Sequence, residues 1–190
     1  MAFVAERGYP VPTVYESGGT DLVMDRVDGP TMLEALTESP WKALWHARLL
    51  AALQRRLARI EPPDWLLGDV LSSGRRESVL HLDLRPANVI LSKRHGPIVI
   101  DWTDAAGGPA GFDAALTFVD IATAETATTV ESVGQRAFTE AFRRIRGPRL
   151  MDPFLVIACE HRLADPALSP AERVAVGALR TKIVSDASTP

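Results

Sequence analysis

The chain has 190 residues, of which 46% are hydrophobic and 24% are charged, and its formal net charge is −3. This composition is that of a globular protein with a buried core, and the lack of a basic excess argues against nucleic acid as a partner. The single cysteine, Cys159, excludes an internal disulfide and fits a reducing compartment. Because neither a signal peptide nor an apolar run of membrane-spanning length is recognisable, we expect a cytoplasmic protein without a membrane partner.

The N-terminal residues predict the end of a helix followed by a hairpin. Residues 2–7 resemble the last turns of a helix, and Gly8 ends it because glycine tolerates the left-handed conformation of a helix C-terminus. Residues 13–27, TVYESGGTDLVMDRV, are typical of two strands around a Ser-Gly-Gly turn.

Two helices are predicted after the hairpin. Thr31 and Glu34 have the spacing of a capping box that opens a short helix. Ser39 and Pro40 are suited to the N-cap and the first position of a longer helix that runs to about Ile60. Leucines recur in this second helix at helical spacing, so we expect one of its faces to be buried.

The middle of the chain predicts two short strands, and the remainder is helical. NVILS and GPIVIDW are the two strands, and SKRHG is the turn that joins them. The predicted helices after them are residues 112–125, a helix capped by Thr128 and Glu131, residues 152–165, and a helix from Ser169 to about Val184. The fold class that follows is an α+β chain that is mostly α.

One polar constellation stands out in the stretch VLHLDLRPANVILS, residues 79–92. Asp83 lies in a loop, where its carboxylate can accept a proton from a hydroxyl group. Asn88 and Asp101 stand at the edges of the two short strands, so the tight turn brings together two oxygen donors of the kind that Mg²⁺ prefers. Arg85 adds a fixed positive charge suited to phosphate oxygens. A base, metal ligands and a cation together indicate phosphoryl transfer to a hydroxyl.

Simpler interpretations stay open for individual residues. The polar side chains of this stretch can be turn residues that cap the local backbone, and Arg85 can be part of a surface ion pair. His81 and Asp83 can also begin the metal site of a hydrolase, although no further histidines support it. Three acidic residues are candidates either for an acceptor pocket or for solvated helix faces, namely Asp120, Glu160 and Asp165.

The segment HLDLRPAN resembles the catalytic loop of kinases, and the later IDW stands where protein kinases have Asp-Phe-Gly. Asp101 follows Asn88 by 13 residues, a spacing that fits a kinase fold. With GGPAGFDAAL after it, the chain is similar to the aminoglycoside phosphotransferase family of small-molecule kinases. The resemblance covers nearly the whole chain and implies a protein-kinase-like helical C-lobe, preceded by a truncated N-lobe hairpin.

The resemblance implies a role for each residue of the loop. Asp83 would be the catalytic base, while Asn88 and Asp101 would hold Mg²⁺. Arg85, the second catalytic candidate by its charge, stands where family members often have histidine and protein kinases have lysine. His81 would brace the loop against the segment of Asp101.

The family resemblance also implies a nucleotide site and a structural anchor. The segment LVMDRV resembles the hinge between two lobes. The residues implied to hold the adenine of ATP, or of another nucleoside triphosphate, are Met24, Asp25 and Val27 on the hinge, and Ile90 and Ile100 as an apolar floor. Asp113 would anchor the first helix after the metal-binding segment.

One part of the family pattern is not found in this sequence. The family clamps ATP with a glycine-rich loop and a strand lysine, and residues 1–24 contain no lysine. We therefore expect residues 1–27 to be a remnant of the N-lobe with its hinge strand, and residues 28–190 to form the C-lobe. A two-stranded hairpin is marginal alone, so its exposed edge favours self-association.

The function implied by the resemblance is ATP- and Mg²⁺-dependent phosphorylation of a hydroxyl group on a small molecule, such as an aminoglycoside, another amino alcohol or a sugar. Two explanations of the missing clamp stay open: the true polypeptide begins further upstream, or the chain is a degenerate kinase. In the second case the alternative function is that of a catalytically inactive, kinase-like binding module.

Overall fold

The computed structural model describes residues 1–19, 21–66, 71 and 77–187, so that Thr20, inside the predicted hairpin, lies outside the described residues. Within them the helices are α1 (Ala2–Ala5), α2 (Met32–Glu38), α3 (Ala43–Leu57), α4 (Ala110–Thr123), α5 (Thr129–Arg146), α6 (Pro148–Met151), α7 (Leu155–Ala164) and α8 (Pro170–Ala187). The strands are β1 (Val14–Gly18), β2 (Asp21–Met24), β3 (Ser78–Leu80), β4 (Val89–Ser92), β5 (Gly96–Val99) and β6 (Ala106–Gly108). They form three antiparallel pairs, β1–β2, β3–β6 and β4–β5. This is the helix-rich α+β architecture that the sequence predicts.

The predicted capping box at α2 is confirmed, whereas the predicted start of the longer helix is wrong. Thr31 accepts a hydrogen bond from the backbone N–H of Glu34, whose carboxylate accepts one from the N–H of Thr31. The side chain of Ser39 makes no such bond, and its backbone N–H donates to the carbonyl of Ala35 at the end of α2. A 3₁₀ turn over Pro40–Lys42 follows, and α3 begins only at Ala43.

Two clusters of buried apolar side chains form the core, and α4 contributes to both. In the first, Leu50 of α3 and Phe142 of α5 are fully buried together with the inner face of β4 and β5. The second joins α4 to α7 and α8 and is centred on Phe112 and Leu116. Helix α4 supplies Ala114 to the first cluster, so its largely apolar sequence is explained by burial on several sides.

Both outer edges of the β4–β5 hairpin are covered by N-terminal backbone. Val99 of β5 donates to the carbonyl of Pro10 at 2.8 Å, and Leu91 of β4 donates to the carbonyl of Pro30 at 2.8 Å. Thr31 also bridges Ile90. The segments on either side of β1 and β2 are therefore fastened to the hairpin that carries the candidate site.

The pair β3–β6 is a feature that the sequence did not predict. Its strands have three residues each, and β6 is Ala-Gly-Gly, so neither shows a strand-like pattern. The pairing is specific nonetheless: Ser78 donates its hydroxyl to the carbonyl of Gly108 at 3.1 Å, and both are buried. Strand β3 leads directly into the candidate loop and fixes where that loop begins.

The hairpin β1–β2 is exposed along nearly its whole length. Among the described residues no helix is long and apolar enough to cross a membrane. The division of the chain at residue 27 stays a prediction.

Candidate active site

The candidate loop begins with a backbone turn that a buried carboxylate holds. Leu82 has a positive φ of 65°, and its N–H donates to Oδ1 of Asp113 at 2.8 Å. Asp113 is 3% exposed and also accepts from Nε2 of Gln54 at 3.4 Å. Burial raises the pKa of Asp113 to about 6, against the hydrogen bond from Leu82, which lowers it. Asp113, for which the resemblance implies an anchoring role, is thus buried and bonded to the backbone of the candidate loop.

His81 connects the loop to the segment of Asp101. Its ring is fully buried, and Nε2 lies 3.1 Å from the carbonyl oxygen of Ile100, while Nδ1 accepts from the N–H of Asp83 at 3.3 Å. A ring nitrogen that accepts carries no proton, so Nε2 bears the hydrogen and donates to Ile100. Burial lowers the pKa of His81 to about 4, which keeps this ring neutral. Trp102 packs against it with ring centroids 4.6 Å apart.

Both carboxylate oxygens of Asp83 are occupied. Nε of Arg85 lies 3.0 Å from Oδ1, and Nδ2 of Asn88 donates to Oδ2 at 2.7 Å. Burial raises the pKa of Asp83, while Arg85 and Asn88 oppose the rise. Arg85 is therefore paired with the carboxylate of Asp83 in this structure, although its side chain remains 42% exposed.

The orientation of Asn88 leaves one oxygen free for a further partner. Its Nδ2 donates to two oxygens of Asp83, the carboxylate and the backbone carbonyl at 2.8 Å, so Oδ1 must point elsewhere. The backbone carbonyl of Asn88 accepts from the N–H of Ile100 at 3.0 Å. The turn thus brings Asn88 beside the residue that precedes Asp101, as predicted.

Asp101 stands in a strained and exposed position. It has a positive φ of 62°, and Thr103 donates its hydroxyl to Oδ1 at 2.5 Å. Leu82 and Asp101 are the described non-glycine residues with positive φ, and both flank the same site. Strained backbone of this kind persists where the surrounding structure holds it, often at functional sites.

The donor set fits Mg²⁺. Oδ1 of Asn88 and the carboxylate of Asp101 are hard oxygen donors. Among the described residues, no group of three or more His, Cys, Asp or Glu side chains could hold a metal ion, so this pair would supply few protein ligands. A cation bound by so few protein groups keeps water and phosphate oxygens in its shell, which is the habit of Mg²⁺.

The residues predicted to hold adenine lie on the segment predicted to be a hinge, residues 22–27, and on one face of the β4–β5 hairpin. The N–H of Asp25 donates to the carbonyl of Thr13 at 2.8 Å, and Met24 is 42% exposed. Side chains alternate along strands, and Val89 and Val99 point into the core. The opposite face therefore carries Asn88 with the two half-buried isoleucines, Ile90 and Ile100. Val27 is half-buried on the hinge.

A half-buried arginine beside the loop was missed by the sequence analysis. Arg162 of α7 pairs with Asp120 at 2.8 Å, Asp165 at 2.5 Å and Glu172 at 3.8 Å. Burial raises the pKa of Asp120 to about 7, although Arg162 opposes the rise. No local motif marks such an arginine, because two of its three partners, Asp120 and Glu172, come from other helices.

A cavity of about 410 Å³, here called the polar cavity, lies around the candidate base. Its wall includes Asp83, Arg85, Asp120, Arg162 and Asp165. Two of the acidic residues considered for an acceptor pocket, Asp120 and Asp165, are therefore placed beside the loop. Glu160 instead pairs with Arg180 at 2.6 Å on the surface.

A kinase-like helical fold and a loop of this composition define a class of phosphotransferases. The model of the phosphotransferase enzyme family, APH, matches residues 22–148, and the chain belongs to this family. The resemblance to aminoglycoside phosphotransferases is thereby confirmed, and family membership supports a small-molecule phosphotransferase at this level.

Two crystal structures of aminoglycoside phosphotransferase APH(4)-Ia share the fold. The first is 15% identical with a TM-score of 0.62, and the match covers 95% of this chain and 78% of that one. The second, a thermostable mutant in its apo form, is 15% identical with a TM-score of 0.61, and the match covers 98% and 83%. A search of curated proteins found no match.

Proposed function

We propose that this chain transfers a phosphoryl group from ATP to a hydroxyl group of a small molecule in a Mg²⁺-dependent reaction. The observation that carries the proposal is the single loop that holds the Asp83 carboxylate between Arg85 and Asn88, with Asn88 bonded to the segment of Asp101. These groups meet the needs of phosphoryl transfer to a hydroxyl, which are a base, a cation and oxygen donors for a metal. The aminoglycoside phosphotransferase named among the structural neighbours agrees with an acceptor of this size class.

Each side chain of the loop has a distinct role in the proposal. Asp83 accepts the proton of the acceptor hydroxyl at Oδ1 once Arg85 turns from the carboxylate towards the phosphate oxygens. Oδ1 of Asn88 and the carboxylate of Asp101 would hold Mg²⁺. When bound, Mg²⁺ would neutralise negative charge on the phosphate oxygens. His81 keeps Asp83 and the segment of Asp101 in register through its two ring nitrogens.

The nucleotide residues belong to the same proposal. The backbone carbonyl of Asp25 and the N–H of Val27 would bond the adenine edge, with Met24 lining the pocket. Ile90 and Ile100 would support the flat face of the base. Their position on the face of the hairpin that also carries Asn88 supports this assignment, because one ATP molecule must contact the adenine site with its base and the metal site with its phosphates.

A second candidate is a catalytically inactive, kinase-like binding module. One observation favours it: both carboxylate oxygens of Asp83 are engaged by neighbouring side chains, so neither stands free to accept a proton.

Thermal denaturation with and without Mg²⁺ and ATP separates the two candidates. A ligand at 100 times its Kd stabilises the folded chain by about 2.7 kcal/mol, which corresponds to about 5–10 °C in Tm at this chain length. We expect a Mg²⁺-dependent rise that Asp101→Asn abolishes. The matched control is Asp186→Asn, which removes an exposed carboxylate on the last turn of α8 and should keep the rise. A cooperatively folded chain whose Tm does not respond supports the inactive module.

A further inference from the structure

A second cavity, here called the apolar cavity, opens on the other side of the candidate loop. Its volume is about 320 Å³, and it lies between α2, the loop, α4 and α5. Apolar side chains dominate its wall, among them Leu33, Leu36, Pro40, Ile121 and Phe138. Cavities that are largely apolar, with a few convergent polar groups, are the usual form of small-molecule sites.

The apolar cavity adjoins the space around the candidate base. Arg85, Asp120 and Arg162 line it and line the polar cavity as well, so the two spaces meet along this row of charged side chains. Pro86 and Ala87 of the loop also face the apolar cavity. A molecule seated there can therefore present a group to Asp83 while its body remains between the helices.

Two carboxylates on the wall of the apolar cavity lack a described cationic partner. Glu125 accepts from the hydroxyl of Ser169 at 2.7 Å, and Glu131 accepts from the N–H of Ala127 at 2.8 Å. The other carboxylates of this cavity, Asp120 and Glu172, pair with Arg162. The local field at Glu125 and Glu131 therefore favours a cation.

We propose that the acceptor is an amphipathic amino alcohol, whose apolar body fills the apolar cavity and whose ammonium group faces Glu125 and Glu131. Its hydroxyl reaches Asp83 through the junction of the two cavities. This inference rests on the proposed function. In the transfer, the acceptor oxygen bonds to the γ-phosphorus, the bond from that phosphorus to the β–γ bridging oxygen breaks, the hydroxyl proton passes to Asp83, and ADP leaves.

The apolar wall also argues against a purely hydrophilic polycation. The polar groups of such a molecule would lose their hydrogen bonds to water on contact with Leu36, Ile121 and Phe138. These apolar side chains offer no hydrogen bonds in return. Contact of an alkyl or aryl body with the same wall is favourable, because the apolar surfaces of both the ligand and the wall are removed from water. The chemical class of the acceptor thus follows from the apolar wall. The junction with the polar cavity specifies where the hydroxyl lies, and Glu125 and Glu131 specify where the amine lies.

A homologous series of N-alkyl ethanolamines tests the inference by calorimetric titration without nucleotide. We expect the affinity to rise by up to about fourfold for each added methylene until the cavity is filled. Ethanolamine and kanamycin, as hydrophilic comparisons, should bind more weakly than the longer members. The double variant Glu125→Gln, Glu131→Gln should weaken every amine by about tenfold and should leave the chain-length dependence intact.

Variants of two similarly exposed leucines provide a matched pair. Leu33 is 50% exposed and lines the apolar cavity, whereas Leu44 is 46% exposed and is not part of its wall. Leu33→Ser should reduce the rise in affinity with each added methylene, whereas Leu44→Ser should leave that rise unchanged.

The possible outcomes distinguish this inference from the proposed function. Equal affinity along the alkyl series in the unmodified chain, or tighter binding of kanamycin than of every alkyl member, overturns the inference. Because the titration contains no nucleotide, it does not depend on phosphoryl transfer. Chain-length-dependent binding without any response to Mg²⁺ and ATP would leave the cavity as an amphiphile site and reject the phosphotransferase activity.

Discussion

At the scale of single residues, His81 and Asp113 hold the candidate loop from opposite sides. His81 is neutral and bridges Asp83 to the backbone of Ile100, while Asp113 accepts from the backbone of Leu82. Neither would touch substrate, so both are positioning residues. Their burial shifts their pKa values in opposite directions, which gives each a different response to pH.

The neutral state of His81 predicts a loss of stability in acid. Its pKa is about 4 in the folded chain against an ordinary value of 6.5, so between these pH values the unfolded chain binds a proton that the folded chain does not. The stabilisation is present above pH 6.5 and is lost as the pH falls towards 4. Between pH 7 and pH 5 we expect the unmodified chain to lose about 2 kcal/mol more than His81→Gln, measured by urea denaturation.

Two buried carboxyl groups stabilise the chain as the pH falls, which opposes the effect of His81. Comparing the pH dependence of the unmodified chain with that of His81→Gln removes their contribution. The pKa of Asp113 is raised from 3.8 to about 6, so the stabilisation linked to its proton is present below pH 3.8 and lost as the pH rises through 6. Asp120 acts in the same sense, with its pKa raised to about 7. Both groups are retained in His81→Gln. An identical pH dependence in the two proteins would contradict a neutral, buried His81.

Removal of the Asp113 carboxylate should destabilise the chain and disturb the loop together. Asp113→Ala removes the acceptor of the half-buried N–H of Leu82 and the weaker of the two acceptors of the Gln54 amide, which keeps its bond to Thr117, at a cost of about 2 kcal/mol. Asp104→Ala, an exposed aspartate, should stay within about 0.5 kcal/mol of the unmodified chain. Chemical denaturation measures both, and similar midpoints for the two variants would refute the anchoring role.

At the scale of elements, the hinge depends on a close approach of two backbones. Gly29 has a positive φ of 147°, and a Cβ there would lie 2.6 Å from the carbonyl oxygen of Leu91. This contact lies beside the hydrogen bond from Leu91 to Pro30 and the bridge from Thr31 to Ile90. A side chain at Gly29 would therefore push the hinge away from the floor proposed for the adenine.

Substitution of two glycines separates backbone strain from steric overlap. Gly8→Ala meets no atom within 4 Å and should cost only the strain of its positive φ of 74°, about 1–2 kcal/mol. Gly29→Ala adds a clash with rigid backbone, so we expect a loss at least about 1 kcal/mol larger. The free energies of unfolding of the two variants provide the comparison, and equal losses would mean that the approach at Leu91 is easily relaxed.

At the scale of the whole molecule, the β1–β2 hairpin is the surface on which self-association is proposed. Tyr15 is 67% exposed, Leu22 48%, Val23 49% and Met24 42%, and the hairpin has two strands in the described chain. An exposed apolar strand edge of this kind is a template for pairing with another chain.

A charge on the hairpin should therefore keep the chain monomeric. We expect sedimentation velocity to show concentration-dependent association of the unmodified chain that Val23→Lys abolishes. Val174→Lys, which alters a 73% exposed valine on α8, is the matched control and should associate normally. A monomer at all concentrations would reject self-association, and loss of association in both variants would place the contact elsewhere.

The sequence by itself determined the features that arise from local chemistry. Three local features depend on residues close along the chain, so their spacing was sufficient. They are the loop from His81 to Asn88 with its hairpin partner Asp101, the capping boxes at Thr31 and Ser169, and the side-chain cap at Thr128. The longer helix was predicted to begin too early, because Ser39 and Pro40 open a 3₁₀ turn and the α-helix follows it at Ala43.

Only the tertiary structure decided the features that join distant segments. Ser78 meets Gly108 across 30 residues, and Arg162 gathers carboxylates from α4, the end of α7 and α8. The apolar cavity likewise forms where α2, α4 and α5 fail to fill the space beside the loop. Such contacts leave no local pattern, because burial and ion pairing depend on which surfaces meet after folding and not on the spacing of residues along one element.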